Sequence, residues 1–312
     1  MDKELIAGVD EVGRGCLAGP VISASVILDK NKKIEGLKDS KLLSPKKRLF
    51  LYKEIKDKAI SFGVGSCSAG FIDKVNIREA TFSSMSKAIN NLSITPKKIF
   101  VDGEGLDKVT IPNEGVIGGD NLIDCIKAAS IIAKVTRDKL MIDYSSIFPE
   151  YDFQNNKGYG TQKHLAALKE YKSTPLHRNS FKPVKENKSS LKWIIENNKT
   201  NWLAKKLVGL YLNDNEHKIL AMDYFDLKTN IVIDIISLLN KKVVFTEVFS
   251  NHSKNVKPNK SCFKDILLSS NKKNFEEVKN EFFPKFDYQI DRIYIKITNG
   301  PPEISRMESN YI

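Results

Sequence analysis

The stretch IAGVDEVGRG, residues 6–15, contains the strongest indication of the fold. Its apolar beginning, residues 6–9, is short and holds β-branched side chains, which predicts a buried strand. Two adjacent carboxylates, Asp10 and Glu11, follow where that strand should end. Because neighbouring residues on a regular strand point to opposite faces, we expect the strand to end or bulge between them. The Gly-Arg-Gly run at 13–15 tolerates such an irregularity.

Other apolar runs predict the elements that surround this strand. Short β-branched runs at 21–28, 60–67 and 98–102 predict strands, and a further strand is expected at 109–117. Ser44 followed by Pro45 is typical of a helix start, and two later runs, 77–92 and 124–141, have helical spacing. Strands in succession and then in alternation with helices predict a mixed α/β sheet with flanking helices.

Carboxylates stand at several of these strand ends. They are Asp10, Glu11, Asp102 and Asp120. Two like charges about 4 Å apart repel by about 4 kcal/mol at intermediate dielectric, so four acids at one sheet end need cations between them. Oxygen ligands favour Mg²⁺ or Mn²⁺, and a pair of such ions can hold both the attacking water and the leaving oxygen of a phosphodiester. The alternative is that each acid is only a turn or cap residue, as Asp before Gly often is.

The composition favours a polyanionic partner. The 312 residues include 50 basic and 38 acidic side chains, a net charge of +12 with a pI near 9.3. Such an excess attracts nucleic acid, although a lysine-rich surface alone would give the same number.

The four cysteines and four histidines lack zinc-site spacing. The N-terminus does not resemble a secretion signal and no apolar run is long enough to span a bilayer, so we expect a cytoplasmic protein without a membrane partner.

The chain is long enough for two domains. A polar, lysine-rich stretch at 181–192 interrupts the pattern, and we place a linker at 186–197. The predicted domains are therefore 1–185 and a smaller α/β domain at 198–312. In the second domain we expect a helix at 201–212 and strands at 219–225, 231–239, 243–248 and 292–297.

The first domain resembles the bacterial ribonuclease HII family. The resemblance rests on GVDEVGRGCLAGPVISASVIL, LKDSKLLSPKKR, IREATFSSMSKAI, VDG, GGD, AASIIAKVTRD and NNKGYGTQKHLAALKEYKSTPLHRNSFKPV, which together cover almost all of residues 4–184. It implies a ribonuclease H-like fold and a hydrolase that cuts the RNA strand of RNA-DNA hybrids endonucleolytically, leaving 5′-phosphates. Cleavage 5′ to single ribonucleotides in duplex DNA, a task of DNA repair and replication, and a two-metal Mg²⁺ or Mn²⁺ site are also implied.

The resemblance also implies roles for particular residues. The four acids, Asp10, Glu11, Asp102 and Asp120, resemble the family's metal-binding catalytic residues. Gly13, Arg14 and Gly15 resemble the loop that recognises the 2′-hydroxyl, the group that distinguishes RNA from DNA. Tyr159 resembles the tyrosine that stacks on the sugar and base at the RNA-to-DNA junction.

Basic residues within the family motifs are candidates for phosphate contacts: Lys41, Lys134 and Arg137. The alternative for them is a solvated surface position or an ion pair with Asp138. Two histidines of the same motifs, His164 and His177, have no spacing that indicates chemistry, and we interpret them as structural. Cys16 and Gly160 replace prolines that are usual in the family, which would loosen two substrate loops.

The second domain resembles, more faintly, the YraN-like family with a restriction-endonuclease-like fold. LVGLYLNDNEHKILAMDYF, IDIISLLNKKVVFTEVF and DYQIDRIYIKI carry this resemblance. Of that family's metal site only Asp234 and Glu247 remain, because Lys205 replaces the helix acid and Phe249 replaces the strand lysine. Without that lysine's charge near the reacting phosphate, we expect a nuclease-inactive accessory domain. Six lysines and one acid at 253–274 would add affinity for a duplex, or form a solvated loop.

Three interpretations of the function follow. The first is a metal-dependent endoribonuclease, acting as a monomer, whose partners are RNA-DNA hybrids and ribonucleotide-containing duplex DNA. The second is a non-catalytic hybrid-binding protein, favoured if the changes at Cys16 and Gly160 misplace the substrate. The third is a nuclease of the same fold that cuts only junctions or long hybrids.

Overall fold

The computed structural model describes residues 5–228, 230–251, 272–298 and 300–309. The chain divides into two compact units. The first comprises the described residues through Ile142 together with Glu150–Lys188, and the second comprises Asp143–Pro149 together with the described residues from Ser189 onward. The described helices include none that is long and apolar enough to cross a membrane.

The first unit is built on a mixed five-stranded sheet. Its strand order is β3-β2-β1-β4-β5, with β1 antiparallel to β2 and parallel to β4. The strands are β1 (Ile6–Val12), β2 (Val21–Ile27), β3 (Ser61–Cys67), β4 (Lys98–Asp102) and β5 (Asn113–Val116). Since β1 and β4 are parallel neighbours at the centre, their carboxyl ends meet at one edge of the sheet.

Helices cover both faces of this sheet. Ser44 Oγ accepts a hydrogen bond from the Lys47 amide (3.3 Å), so the predicted cap of the first helix is confirmed. One face packs on the first and fifth helices, and the other packs on the third. The helices are α1 (Pro45–Lys58), α2 (Ala69–Val75), α3 (Ile77–Asn90), α4 (Gly119–Leu122), α5 (Asp124–Ile147), α6 (Phe153–Asn156), α7 (Gln162–Tyr171) and α8 (Lys182–Lys185).

Two predicted strand boundaries are wrong. β1 neither ends nor bulges between the two acids, because its ladder with β2 continues in register from Asp10 through Val12. β5 is shorter than the predicted 109–117. The Asn113 side chain accepts from the Leu106 amide (2.7 Å) and donates to the Leu106 carbonyl (3.1 Å), which keeps the preceding residues in a loop.

The second unit contains a five-stranded sheet of order β10-β9-β8-β7-β6, in which only the β8 and β9 pair is parallel. Phe245 and Phe275 are part of its apolar core. The predicted mixed sheet and the second, smaller α/β domain are thus confirmed. The elements are α9 (Leu191–Glu196), α10 (Thr200–Asp214), β6 (Lys218–Asp226), β7 (Ile231–Leu239), β8 (Lys242–Asn251), α11 (Lys272–Phe282), β9 (Asp287–Lys296) and β10 (Glu303–Ser309).

The stretch predicted as a linker, 186–197, contains helix α9. Ser190 Oγ caps it by accepting from the Trp193 amide (3.1 Å), and Ile194 is buried. The polar residues at the start of the stretch concealed a short helix whose Ile194 side chain is buried. Most of the lysine-rich segment at 253–274 lies outside the described residues, which resume at 272.

Candidate active site

Three carboxylates converge at the shared edge of β1 and β4. Asp10, Glu11 and Asp102 each place one carboxylate oxygen so that all three atoms lie within 4.8 Å of one another. Val9 and Val101 pack on the α3 side, so the residues that follow them, Asp10 and Asp102, face α5. Glu11 starts from the opposite side, and its longer side chain brings its carboxylate to the same point without a break in the strand.

The electrostatics of the cluster are unfavourable without a cation. Burial, followed by the Glu11 charge, raises the pKa of Asp10 well above its usual range. Burial also raises the pKa of Glu11, and burial together with the Asp120 charge raises that of Asp102. An all-oxygen set in which the charged forms repel one another suits a hard divalent ion. These residues therefore fit a Mg²⁺ or Mn²⁺ site.

Asp120 lies beside the cluster but outside its tightest set. Its backbone amide donates to Asp102 Oδ1 (3.3 Å) from the first turn of α4. Its carboxylate Oδ2 lies 3.6 Å from the ammonium of Lys41, a side chain that is largely exposed. Burial acts to lower the pKa of Lys41, but the nearby carboxylates, led by Asp39 and Asp120, raise it. Lys41 is thus a charged, accessible cation at the mouth of the acid cluster.

The Gly-Arg-Gly loop follows the cluster directly. Gly13 has a φ of +96°, and a Cβ there would lie 2.3 Å from Nε of Arg137. A Cβ at Gly15, in contrast, would meet no heavy atom within 4 Å, so its main chain is open to a ligand. Arg14 is exposed, and its guanidinium lies 3.5 Å from Glu11 Oε1. Packing against Arg137 therefore requires glycine at position 13, whereas Gly15 leaves room for a ligand to approach the main chain.

The phosphate contact predicted for Arg137 is wrong. Its side chain is fully buried, and its guanidinium donates to the carbonyls of Lys157 (2.7 Å), Pro20 (2.9 Å) and Ala18 (3.0 Å). All of its nitrogens are directed to main chain rather than to solvent. Lys134 is mostly buried and donates to Asp138 (2.8 Å), which is the ion pair expected as the alternative.

Tyr159 projects from a turn that contacts the connection between β1 and β2 at Leu17, two residues after the Gly-Arg-Gly loop. Its side chain is 43% exposed, and the carbonyl of the preceding Gly158 accepts from the Leu17 amide (2.8 Å). A second buried arginine, Arg178, donates to the carbonyls of Gly13 (2.6 Å) and Arg14 (2.7 Å). Sequence reasoning missed Arg178, because an arginine next to Asn179 has no spacing that indicates burial.

Two buried histidines connect the Tyr159 turn to the same region. The Thr174 amide donates to Nδ1 of His177 (3.1 Å), Nε2 of His177 lies 3.0 Å from Nε2 of His164, and Nδ1 of His164 lies 2.9 Å from the Tyr159 carbonyl. Only one arrangement satisfies every atom: each ring is neutral, His164 donates from Nδ1 and His177 donates from Nε2. The histidines therefore have the structural role that we expected.

This pair predicts a pH dependence of stability. Burial, and then the neighbouring His164, lowers the pKa of His177 from 6.5 to about 3. Between these values the unfolded chain binds a proton that the folded protein does not, so the free energy of unfolding falls as the pH falls below 6.5. Urea unfolding of the wild type and of His177→Asn should show a smaller loss across this range for the variant. Equal losses in the two proteins would contradict the assignment.

The sheet and the acid cluster define a class of protein. An α/β domain whose two central parallel strands bring three carboxylates to one sheet edge, beside an exposed glycine loop, has the arrangement expected of a phosphodiester-cleaving hydrolase. A family model, Ribonuclease HII, matches residues 7–184. The chain belongs to the ribonuclease HII family, whose members are hydrolases with endoribonuclease activity of the ribonuclease H type.

Individual relatives agree with this assignment. The Ribonuclease HII of Enterococcus faecalis is 51% identical over 182 residues, which are 58% of this chain and 71% of that protein. The Ribonuclease HII of Lactobacillus helveticus is 50% identical over 183 residues, 59% of this chain and 73% of that protein. The crystal structure of the ribonuclease H2 from Pyrococcus horikoshii OT3 matches with a TM-score of 0.52 at 29% identity, covering 58% of this chain and 95% of that one. The predicted ribonuclease H-like fold is thereby confirmed for the first unit.

Proposed function

We propose that this protein is a metal-dependent endoribonuclease that cuts the RNA strand of RNA-DNA hybrids, including 5′ to a single ribonucleotide in duplex DNA. The observation that carries the proposal is the three-carboxylate cluster, whose oxygens lie within 4.8 Å of one another, directly before an open Gly-Arg-Gly loop. A site that both cleaves a phosphodiester and recognises a ribose needs these two parts side by side. Removal of ribonucleotides during DNA repair and replication is the corresponding cellular task.

Each part of the site has a role in this proposal. Asp10, Glu11 and Asp102, with Asp120 beside them, would hold the divalent ions. When bound, such ions activate water and stabilise the leaving oxygen of an in-line displacement. The exposed main chain at Gly15 hydrogen-bonds the 2′-hydroxyl, because no side chain obstructs its approach.

Cationic and aromatic groups hold the rest of the nucleotide. The guanidinium of Arg14 and the ammonium of Lys41 are both exposed near the acids and are placed to contact phosphates. The Tyr159 ring has an accessible face for the sugar and base at the junction. These contacts orient the scissile phosphate toward the acids.

The test compares four substrates in Mg²⁺ and in EDTA. They are a duplex with one ribonucleotide, a long hybrid, an all-DNA duplex and single-stranded RNA. We expect cleavage of the first two in Mg²⁺, with the cut in the first substrate directly 5′ to the ribonucleotide and a 5′-phosphate on the product. Binding without any cleavage would support the non-catalytic alternative, and cleavage of the long hybrid alone would support a nuclease of narrower specificity.

For the second unit we propose an accessory role without nuclease chemistry, with domains at 1–185 and 198–312 joined through 186–197. The Lys205 ammonium contacts the carboxylates of Asp223 and Asp234, the latter at 2.7 Å. Arg292 lies 3.1 Å from Glu247. The acids that remain from the resembling metal site are thus already neutralised by the protein's own cations, which supports an inactive site.

Duplex affinity tests this accessory role. We expect deletion of residues 190–312 to weaken binding to a hybrid and to lower the slope of log affinity against log salt by about 0.9 for each phosphate that is no longer neutralised. A full-length variant with six lysines changed to Gln, namely Lys254, Lys257, Lys260, Lys264, Lys272 and Lys273, should lower the slope in the same direction. Unchanged affinity and slope in both variants would refute the proposal.

A further inference from the structure

The short segment 176–178 contacts the Gly-Arg-Gly loop directly and the Tyr159 turn through His164; the proposed function assigns both loops to the substrate. The Leu176 carbonyl accepts from the Gly19 amide (2.8 Å), and the Arg178 amide donates to the Leu17 carbonyl (2.9 Å). The main chain of this segment therefore runs alongside the connection between β1 and β2. Both of its polar side chains, His177 and Arg178, are buried.

The buried side chain of Arg178 binds the main chain of the Gly-Arg-Gly loop. Its guanidinium donates to the carbonyls of Gly13 (2.6 Å), Arg14 (2.7 Å) and Gly19 (3.0 Å), so one planar group joins the Gly-Arg-Gly loop to the end of the β1–β2 connection. Burial lowers the pKa of Arg178 to about 10, and the group is still charged at neutral pH. Its fork geometry makes these bonds directional, which an ammonium would not reproduce.

His177 holds the Tyr159 turn. It reaches the Tyr159 carbonyl through His164, with heavy-atom distances of 3.0 and 2.9 Å along the path. The Tyr159 turn also contacts the connection between β1 and β2 just beyond the Gly-Arg-Gly loop, where the Gly158 carbonyl accepts from the Leu17 amide. His177 and Arg178, which are consecutive in the chain, thus connect the Tyr159 turn and the Gly-Arg-Gly loop to the same short segment.

We propose that His177 and Arg178 are positioning residues that set the spacing between the main chain of the Gly-Arg-Gly loop and the Tyr159 ring. This inference rests on the proposed function, in which the two loops hold one nucleotide between them. A displacement of about 1 Å between groups that bind the same sugar can weaken its productive binding and cost about a hundredfold in kcat/KM. The spacing therefore determines how well a ribonucleotide at the junction is held.

The test is a steady-state comparison on the single-ribonucleotide duplex in Mg²⁺. Arg178→Lys keeps the charge and loses the fork, and we expect its KM to rise about tenfold while kcat stays close to that of the wild type. His177→Asn should raise KM in the same direction. For Arg178→Ala, millimolar guanidinium chloride should restore part of the kcat/KM, because it refills the site of the missing group.

Ile55→Ala is the matched control for stability, since Ile55 lies on α1 and is buried in the apolar core with residues of β2 and α5. It should lower Tm and leave KM unchanged. If the wild type does not cut this duplex, the proposed function fails. If the wild type cuts it and Arg178→Lys keeps the wild-type KM, or if Ile55→Ala raises KM as much as Arg178→Lys does, the positioning inference is overturned.

Discussion

Asp10→Asn is expected to abolish cleavage and, in EDTA, to make the protein more stable. The loss of activity should be at least about a thousandfold in kcat, because Asn removes a charged ligand from the centre of the acid cluster. The gain in stability has a separate cause. Burial and the Glu11 charge raise the pKa of Asp10, so its ionised form is less favourable in the folded protein than in the unfolded chain.

The amide preserves the local structure. Its oxygen can still accept from the Glu11 amide, as Asp10 Oδ1 does at 2.7 Å. Tm measured by calorimetry in EDTA should therefore rise for Asp10→Asn, while cleavage in Mg²⁺ disappears. Asp57→Asn, at an exposed position on α1, is the matched control and should change neither quantity. A lower Tm for Asp10→Asn would show that the cluster is not under repulsion.

Alanine at the two loop glycines is expected to have two different effects. Gly13→Ala places a Cβ at a φ of +96° and 2.3 Å from Nε of the buried Arg137. The backbone strain costs about 1–2 kcal/mol. Overpacking adds about 1–3 kcal/mol. We therefore expect a clear drop in Tm together with a loss of about a hundredfold in kcat/KM, since the loop must move away from its place.

Gly15→Ala separates binding from stability. A Cβ at Gly15 meets no heavy atom within 4 Å, so Tm should stay that of the wild type. If the main chain there contacts the ribose, the added methyl occupies the ligand's space, and KM for a single-ribonucleotide duplex should rise about tenfold. A wild-type KM for Gly15→Ala would remove Gly15 from the substrate site. A wild-type Tm for Gly13→Ala would contradict the loop geometry.

Asp10 and Asp102 were accessible to sequence reasoning because each one stands at the end of an apolar run. A run of β-branched residues reveals its strand, and parallel neighbours bring Asp10 and Asp102 to one edge. The break expected after Asp10 was inferred from a rule for regular strands that ignores side-chain length. Glu11 reaches the cluster from a continuous strand, and only the three-dimensional ladder could reveal this.

The buried arginines illustrate what the sequence could not provide. A guanidinium is expected at the surface unless it is paired, and Arg137 is paired with carbonyls from Ala18, Pro20 and Lys157, which are distant in sequence. Its partners exist only after the loops have folded around it. The same holds for Arg178. Strand β10 was missed because its residues, EISRMES, alternate weakly and include few apolar side chains.

The central claim is that the acids of β1 and β4 form one divalent-metal site. Calorimetric titration of the protein with MnCl₂, without substrate, measures this directly. We predict saturable Mn²⁺ binding by the wild type and by Asp57→Asn, and a strong loss of binding by both Asp10→Asn and Asp102→Asn. Binding that persists unchanged in these last two variants, or no binding by the wild type, would contradict the account.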